Sequence, residues 1–271
     1  MDRADVAIIG GGLIGCATAW RLALAGASVV LFEAGDVNTG ASGQNAGSLH
    51  FQIERRFLEN GDALADQAAA IVALSRLAVE DWRSVEQELG TDLHVAMHGG
   101  LMVAETTEQV TLLERKAERE RREGLSVETL DGAAARAIAP YLSDRILAAN
   151  FSKDEGHADP KAMTPALAAV ARVAGADLRT HTPVATIARA TSGFSLGGSG
   201  WSLAADRVLV AAGAWTAPLC ARANLHMPLY PVALLMNATA RVPPTIPHLV
   251  QHVGRRLSLK QTHAGNLLIG G

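Results

Sequence analysis

The chain has 271 residues, 49% of them hydrophobic, enough to bury a sizeable core in one large domain or two interleaved ones. With 24 Lys and Arg against 27 Asp and Glu, the formal net charge of −3 gives no sign of the clustered basic surface a nucleic acid needs. The two cysteines, Cys16 and Cys220, have no CxxC or partner spacing, which argues against a disulfide framework or thiolate metal site and for a reducing, cytoplasmic compartment.

Residues 6–24 are apolar, yet Gly10, Gly11, Gly12 and Gly15 cut them into a short strand and a helix rather than a signal peptide or membrane span. No other window is long and apolar enough to cross a bilayer. The apolar run 5–9 reads as a buried parallel strand, Leu13–Leu24 as a helix closed by Gly26, and 28–33 as a second buried strand. Together they make a βαβ unit. Residues 35–47 form a polar, glycine-rich loop. Apolar residues at three- and four-residue intervals predict one long helix over 62–89. A strand at 101–104 and a helix over 107–122 follow, and the dense charges of 114–123 predict a solvated helix face. A strand at 126–130 leads to Asp131, a cap for a brief helix. Asp159-Pro160 signals another helix start, with Gly175 as its stop. Short strands are expected at 184–188, 194–196 and 201–203, then a continuous apolar strand at 207–212. The β-branched and leucine runs of 228–269 predict an antiparallel sheet. The parallel pieces lie at 5–33 and 207–213, so one nucleotide domain is assembled from separated segments with a second domain inserted.

Gly10-Gly11-Gly12-Leu13-Ile14-Gly15 matches G-x-G-x-x-G between a strand and a helix. Gly10 permits the tight turn, Gly12 lets backbone approach a pyrophosphate, and Gly15 lets the helix pack on the strand. Glu33 ends the second strand, eighteen residues after Gly15, where a carboxylate can accept from adenosine ribose hydroxyls. The run Asn38 to Gly47 can fold back over the pyrophosphate, or be a plain surface loop. Ser42 does not complete a G-x-S-x-G elbow, because Gln44 takes the last position, so a serine hydrolase is set aside. A third feature, the strand end Ala212-Gly213 before Trp215, allows close approach of a cofactor or simply leads a core strand into a helix.

These motifs resemble those of the D-amino-acid oxidase/glycine oxidase/sarcosine oxidase family: the Gly-Gly-Gly-Leu-Ile-Gly-Cys opening, the loop Gly40 to Gly47 and the strand end Ala211 to Trp215. Residues 124–128, Ala158-Asp159-Pro160 and 265–271 fit the same pattern in the same order, and Ser48-Leu49-His50 is most like its amino-acid dehydrogenase and hydrogen-cyanide synthase type subunits. The resemblance implies an α/β fold, a Rossmann-like FAD-binding domain (1–90 and 145–225) with an inserted β-rich, α+β substrate domain (91–144 and 226–271, incomplete). It implies FAD as cofactor and a small amine, amino or imino acid as substrate. Hydride would pass from the carbon next to nitrogen to flavin N5, giving an imine that hydrolyses, with the flavin carrying the hard chemistry. The electron acceptor stays open between dioxygen, a quinone and a partner subunit.

Carried over by position, the resemblance assigns Gly10, Gly12, Leu13, Ile14 and Gly15 to the pyrophosphate turn and Glu33 and Ala34 to the ribose. Ser42, Asn45, Ala46 and Gly47 match the segment beside phosphates and isoalloxazine, Val184 a backbone contact on the adenine side, and Ala212, Gly213 and Trp215 the ribityl chain. His50, Gln52, Arg55 and Arg56 follow the loop and are the candidates for the substrate side. An arginine suits a substrate carboxylate, although surface arginines and a structural histidine are the plain alternatives. Lys260 and Gln261, on a predicted strand of the substrate sheet, are further candidates. No His, Cys or Asp cluster has metal-ligand spacing, and 154–159 reads as a turn leading to the Asp159 cap, so no metal is expected.

The family continues beyond Leu268-Ile269-Gly270-Gly271 through a strand and a helix directed at the flavin pyrimidine edge. The chain is therefore expected to be a fragment, a truncated reading frame or one part of a complex, with an apolar strand edge for another chain to cover. Two rival functions stand beside the oxidoreductase: a flavin-binding or interaction subunit without catalysis of its own, and an NAD-dependent dehydrogenase. The Ser42 loop and the Gly213 strand end argue against the latter.

Overall fold

Val6 to Ile9 and Val29 to Phe32 are buried along their whole length, the condition of strands covered on both faces of a parallel sheet. Around them the computed structural model, which describes residues 2–270, forms two units visited alternately by the chain. The first takes residues up to Asn45 and Pro160–Ala233; the second takes Ala46–Asp159 and residues from Leu234 on. In chain order, the first segment holds β1 (Asp2–Ile9), α1 (Leu13–Leu24) and β2 (Val29–Phe32). The second holds β3 (Ser48–Leu49), α2 (Arg55–Glu59), α3 (Asp62–Ala69), α4 (Val72–Leu89), β4 (Gly100–Ala104) and α5 (Thr107–Arg122). It continues through β5 (Glu128–Asp131), α6 (Gly132–Ile138), β6 (Ala148–Ser152) and β7 (Gly156–His157). The return segment supplies α7 (Pro160–Val173), β8 (Asp177–Arg179), β9 (Thr186–Arg189), β10 (Phe194–Gly198), β11 (Trp201–Val210) and α8 (Thr216–Arg222). The closing one supplies β12 (Met236–Arg241), β13 (Leu249–His252), β14 (Ser258–Gln261) and β15 (Asn266–Gly270).

In the first unit the strand order is β8-β2-β1-β11-β10-β9. β8, β2, β1 and β11 run parallel, and β10 and β9 are added antiparallel at one edge. Two strands expected at 201–203 and 207–212 are one ten-residue strand, β11. Its polar interior (Ser202, Asp206, Arg207) reads as a turn in the sequence, but the strand pairs with β10 on one side and β1 on the other. Its two partners overlap at Leu203–Ala205, which bridges the polar stretch, and β1 carries the ladder on to Val210, so the polar side chains do not break it. Helix α1 buries small residues, Gly15, Cys16, Ala19 and Ala23, and packs against α7, which buries Ala166, Ala168 and Ala171.

The second unit carries a seven-stranded sheet, β12-β15-β14-β13-β4-β6-β5. Alternation along β4 sends Met102 and Ala104 into one core with Leu113 and Ala117 of α5, and Leu101 and Val103 into another with Ala135, Ala149 and Val250. Within the closing segment every pairing is antiparallel, as expected, and the segment joins the rest of the sheet through β13, which runs parallel to β4. The expected domain borders shift: 46–90 and 145–159 belong to the second unit, not the first. Within the first of these stretches, Asp62 and Asp66 of α3 pair with Arg115 and Arg119 of α5 at 2.7–2.8 Å.

Two further expectations change. The helix over 62–89 is two helices, interrupted after Ala69, where Ile71 N–H bonds back three residues to Ala68. Part of the apolar periodicity (Ile71, Leu74, Leu77) faces outward, so burial does not favour a continuous rod. The charge run of α5 is a solvated face only in part: Glu114, Arg115, Glu118 and residues 121–123 are exposed, but one stripe turns inward. Lys116 and Glu120 are both fully buried, 2.8 Å apart, with Gln52 Oε1 accepting from Lys116 and Ile53 N–H donating to Glu120. Burial holds the Glu120 carboxyl above its ordinary range although Lys116 opposes that shift.

Candidate nucleotide and cofactor site

The first unit contains a cleft of about 1020 Å³ at the carboxyl ends of β1, β2 and β11. Gly10 turns there with φ +116°, and a Cβ on it would stand 2.4 Å from the Ala211 carbonyl oxygen. The end of β1 and the segment after β11 therefore approach as only glycine permits. A Cβ on Gly15 would lie 1.9 Å from the Gly10 carbonyl oxygen, so α1 seats directly on the turn. Gly12 precedes α1, and its missing Cβ leaves room for the Ser42 hydroxyl, which accepts the Leu13 N–H at 2.9 Å. The helix N-terminus offers partial positive charge to an anion.

Glu33 is held from both sides. One carboxylate oxygen accepts the Gly11 N–H at 2.6 Å and the other the Gly35 N–H at 2.8 Å, which fixes the acid at the cleft rim. Opposite, Arg222 donates to the carbonyls of Val184 and Ala185 at 2.7 and 3.1 Å and shapes the wall made by Thr182, Pro183 and Val184. Asn38 sits in the left-handed region (φ 71°). Its amide donates to the carbonyls of Pro160 at 3.0 Å and Lys161 at 3.5 Å, near the start of α7. Pro165, inside α7, has no N–H for the Lys161 carbonyl, and the longer of the two Asn38 bonds reaches that oxygen. The Asn38 Oδ1 is buried without a hydrogen-bond partner, in a residue that lines the cleft.

Of the positions assigned to a cofactor from the sequence, Gly10, Gly12, Leu13, Ile14, Glu33, Ala34, Ser42, Val184, Ala212, Gly213 and Trp215 line this cleft. Gly15 lies beneath it as a packing contact. Asn45, Ala46 and Gly47 are not among its lining. The Asn45 amide turns back to the carbonyls of Ala41 and Ser42, and the Gly47 carbonyl accepts from Ala158 within the second unit. Thr182 and Arg222 line the cleft without a signal in the sequence. No motif marks them, because an arginine bonded to backbone carbonyls leaves no sequence pattern.

The substrate-side candidates lie in the second unit. Gln52 is buried and committed, donating to Glu155 at 2.9 Å and the Gly100 carbonyl at 3.2 Å while accepting from Lys116. Arg55 pairs with Glu59 one turn on, and Arg56 with Glu54 at 3.0 Å. His50 is half-buried beside Gln251, 3.0 Å from its Nδ1, with Glu155 at 3.9 Å. Gln261 is wholly structural, bonded to backbone of the 242–246 and 265 segments. Lys260 is buried, and desolvation pushes its ammonium down to about 8 against the opposing charge of Asp159.

The family model described as "DAO: FAD dependent oxidoreductase" matches residues 5–271. The chain belongs to this FAD-dependent oxidoreductase family. Glycine oxidase of Geobacillus kaustophilus is 35% identical over 231 residues, 85% of this chain and 60% of that protein. Its crystal structure superimposes with a TM-score of 0.87 at 29% identity, covering 100% of this chain and 72% of that one. An opine oxidase subunit of Rhizobium meliloti is 26% identical over the whole chain and 71% of its own length. L-proline dehydrogenase from P. horikoshii shares the fold, with a TM-score of 0.85 at 22% identity over 99% of this chain and 70% of that one. The chain spans about 60% of the length of the glycine oxidases it matches. FAD is the cofactor of the family, and the glycine cradle, the doubly held Glu33 and the orphaned Asn38 oxygen fit its adenosine diphosphate half. No helix among the described residues is long and apolar enough to cross a membrane.

Proposed function

We propose that this polypeptide takes part in oxidising the C–N bond of a small amine, amino or imino acid. The observation that carries the reading is the cleft of the first unit, where three glycines, Glu33 and Ser42 together make a dinucleotide cradle in a chain of this family. Bound there, FAD supplies a two-electron acceptor for hydride leaving the carbon next to nitrogen. The chain's own part is to orient and shield: Glu33 holds the ribose end, the first turn of α1 neutralises phosphate charge, and the wall by Val184 excludes water. Of the substrate-side candidates we assign contact with the amine to His50, whose ring is partly exposed, rather than to Gln52, whose amide is engaged elsewhere, or to Arg55, which pairs with Glu59.

The test is the visible spectrum of the purified chain loaded with FAD, then mixed anaerobically with glycine, sarcosine, dimethylglycine, proline and an opine. Bleaching of retained flavin by one of these supports the proposal and names its substrate. Retained flavin that nothing on the panel bleaches favours a second reading, a flavin-binding subunit that works with another chain. The match along the whole chain to a protein named as a subunit of an oxidase supports that second reading.

A further inference from the structure

Away from the nucleotide cleft, the second unit brings together His94, Asp159 and His263, one ligand-type atom of each lying within 4.8 Å of the others. Each comes from a different segment. His94 follows a turn in which Asp92 Oδ1 accepts the His94 N–H at 2.8 Å and lies 3.3 Å from its Nδ1. Asp159 is tied to the same turn through its backbone N–H, which donates to the Leu93 carbonyl at 2.8 Å. His263 sits in the β14–β15 hairpin, whose loop is closed by hydrogen bonds between Thr262 and Asn266 and between Gly265 and Thr262, both 2.9 Å.

Three details go beyond chance proximity. His94 adopts φ 53°, a left-handed backbone that costs a non-glycine residue, and it is kept there by Asp92. The imidazoles of His94 and His263 are in contact, with centroids 3.8 Å apart and 16° between planes, a stack that must open for both ring nitrogens to reach one ion. Asp92 adds a second carboxylate beside them, as an orienting partner does for a metal-bound histidine. Two imidazoles and a carboxylate are the donor set of Zn²⁺ and its first-row neighbours. Ligands on a tetrahedral ion at about 2.0–2.1 Å stand roughly 3.4 Å apart, and rotation of the two exposed imidazoles closes the present separation.

We propose that His94, Asp159 and His263 form a binding site for a first-row divalent cation of the Zn²⁺ class, which clips the 92–94 turn to the β14–β15 hairpin. The role is structural and separate from flavin chemistry, so it stands or falls independently of the function proposed above. Lys260 also acts electrostatically on Asp159 and is the competing explanation for that carboxylate.

The experiment is a titration of the metal-stripped full chain with Co²⁺, followed by its visible d–d bands, and with Zn²⁺ by competition and thermal melting. One equivalent of Co²⁺ displaced by Zn²⁺, and a rise in Tm on the order of 5 °C with saturating Zn²⁺, are expected. The variants H94N and H263N should each weaken binding by about tenfold or more, and D92N by roughly tenfold, whereas H226N, on an exposed histidine elsewhere, should bind as the unaltered chain does. Absence of stoichiometric binding, or H94N and H263N binding like H226N, overturns the site. If a variant fails to fold, Zn²⁺ protection of the native histidines against diethyl pyrocarbonate, read by mass spectrometry, decides: His94 and His263 protected together supports the site, and equal labelling with and without Zn²⁺ overturns it.

Discussion

Replacing Glu33 by glutamine changes one atom's worth of chemistry and almost no volume. In the structure each carboxylate oxygen takes a different backbone N–H, that of Gly11 at 2.6 Å and that of Gly35 at 2.8 Å. A glutamine has one acceptor oxygen, so whichever N–H it keeps, its NH₂ faces the other donor. The lost charge-assisted bond and the stranded N–H together cost about 1.5–3 kcal/mol in the flavin-free protein. A second effect appears only on binding, because a neutral amide accepts ribose hydroxyls less strongly than a carboxylate. That difference, about 1–1.5 kcal/mol per hydrogen bond, weakens FAD roughly 5- to 12-fold. FAD fluorescence quenching measures the first affinity and calorimetry with ADP the second, and both should fall by the same factor, because ADP carries the half that Glu33 serves. If E33Q binds FAD within about twofold of the original, or loses FAD while keeping ADP, then Glu33 does not do what its geometry says.

Three other outcomes follow from the same structure. Gly15→Ala puts a methyl group 1.9 Å from the Gly10 carbonyl oxygen, so α1 must move; stability should fall by about 1–3 kcal/mol in denaturant melts, with loss of FAD retention on gel filtration. Normal flavin retention in that variant would count against close seating of α1. Lys116→Met alone leaves Glu120 buried without its counter-charge and should cost about 3–5 kcal/mol, whereas adding Glu120→Leu should recover only part of the loss, because the Ile53 N–H and Gln52 Oε1 lose their partners, as chemical denaturation of the two variants can show. Cys16 is fully buried, and desolvation raises its thiol from 9.0 to about 11. A raised folded pKa means that stability is intact below pH 9 and falls as the unfolded thiol ionises, by about 3 kcal/mol once the pH passes 11. Cys16→Ala should flatten that part of the stability profile, and a thiol reagent at pH 8 should react with Cys16 only after unfolding.

The nucleotide half of the fold is legible because its signals are local. A continuous apolar run bounded by Gly10 and an equally apolar run ending at Glu33 can hardly be anything but buried parallel strands, and Leu13–Leu24 has the predicted bounds to the residue. Thr106 and Asp131 cap their helices through side-chain oxygens, which is why those starts are readable. What escapes is non-local. β11 looks like two strands until β1 and β10 are placed beside it, and the Lys116–Glu120 pair looks solvated until Gln52 and Ile53 close over it. The His94, Asp159 and His263 cluster has no spacing to recognise, since three distant segments supply one residue each. Asp159 reads as a helix cap in the sequence, which accounts for the residue before its neighbours in space are known.

The bond between Asn38 and the start of α7 has a bearing on how such sequences can diverge. Proline at 165 creates the need that the Asn38 amide meets, and a loop asparagine in a left-handed turn is there to meet it. Neither residue is independently free to drift. An alanine at 165 restores the helix's own N–H to the Lys161 carbonyl and relieves position 38 of that duty, whereas an alanine at 38 with the proline retained removes the bonds that Asn38 makes to the first turn of α7. Natural relatives should therefore change the two positions together, passing through the proline's loss first, and a survey of aligned sequences would show that order as a missing combination rather than as a conserved residue.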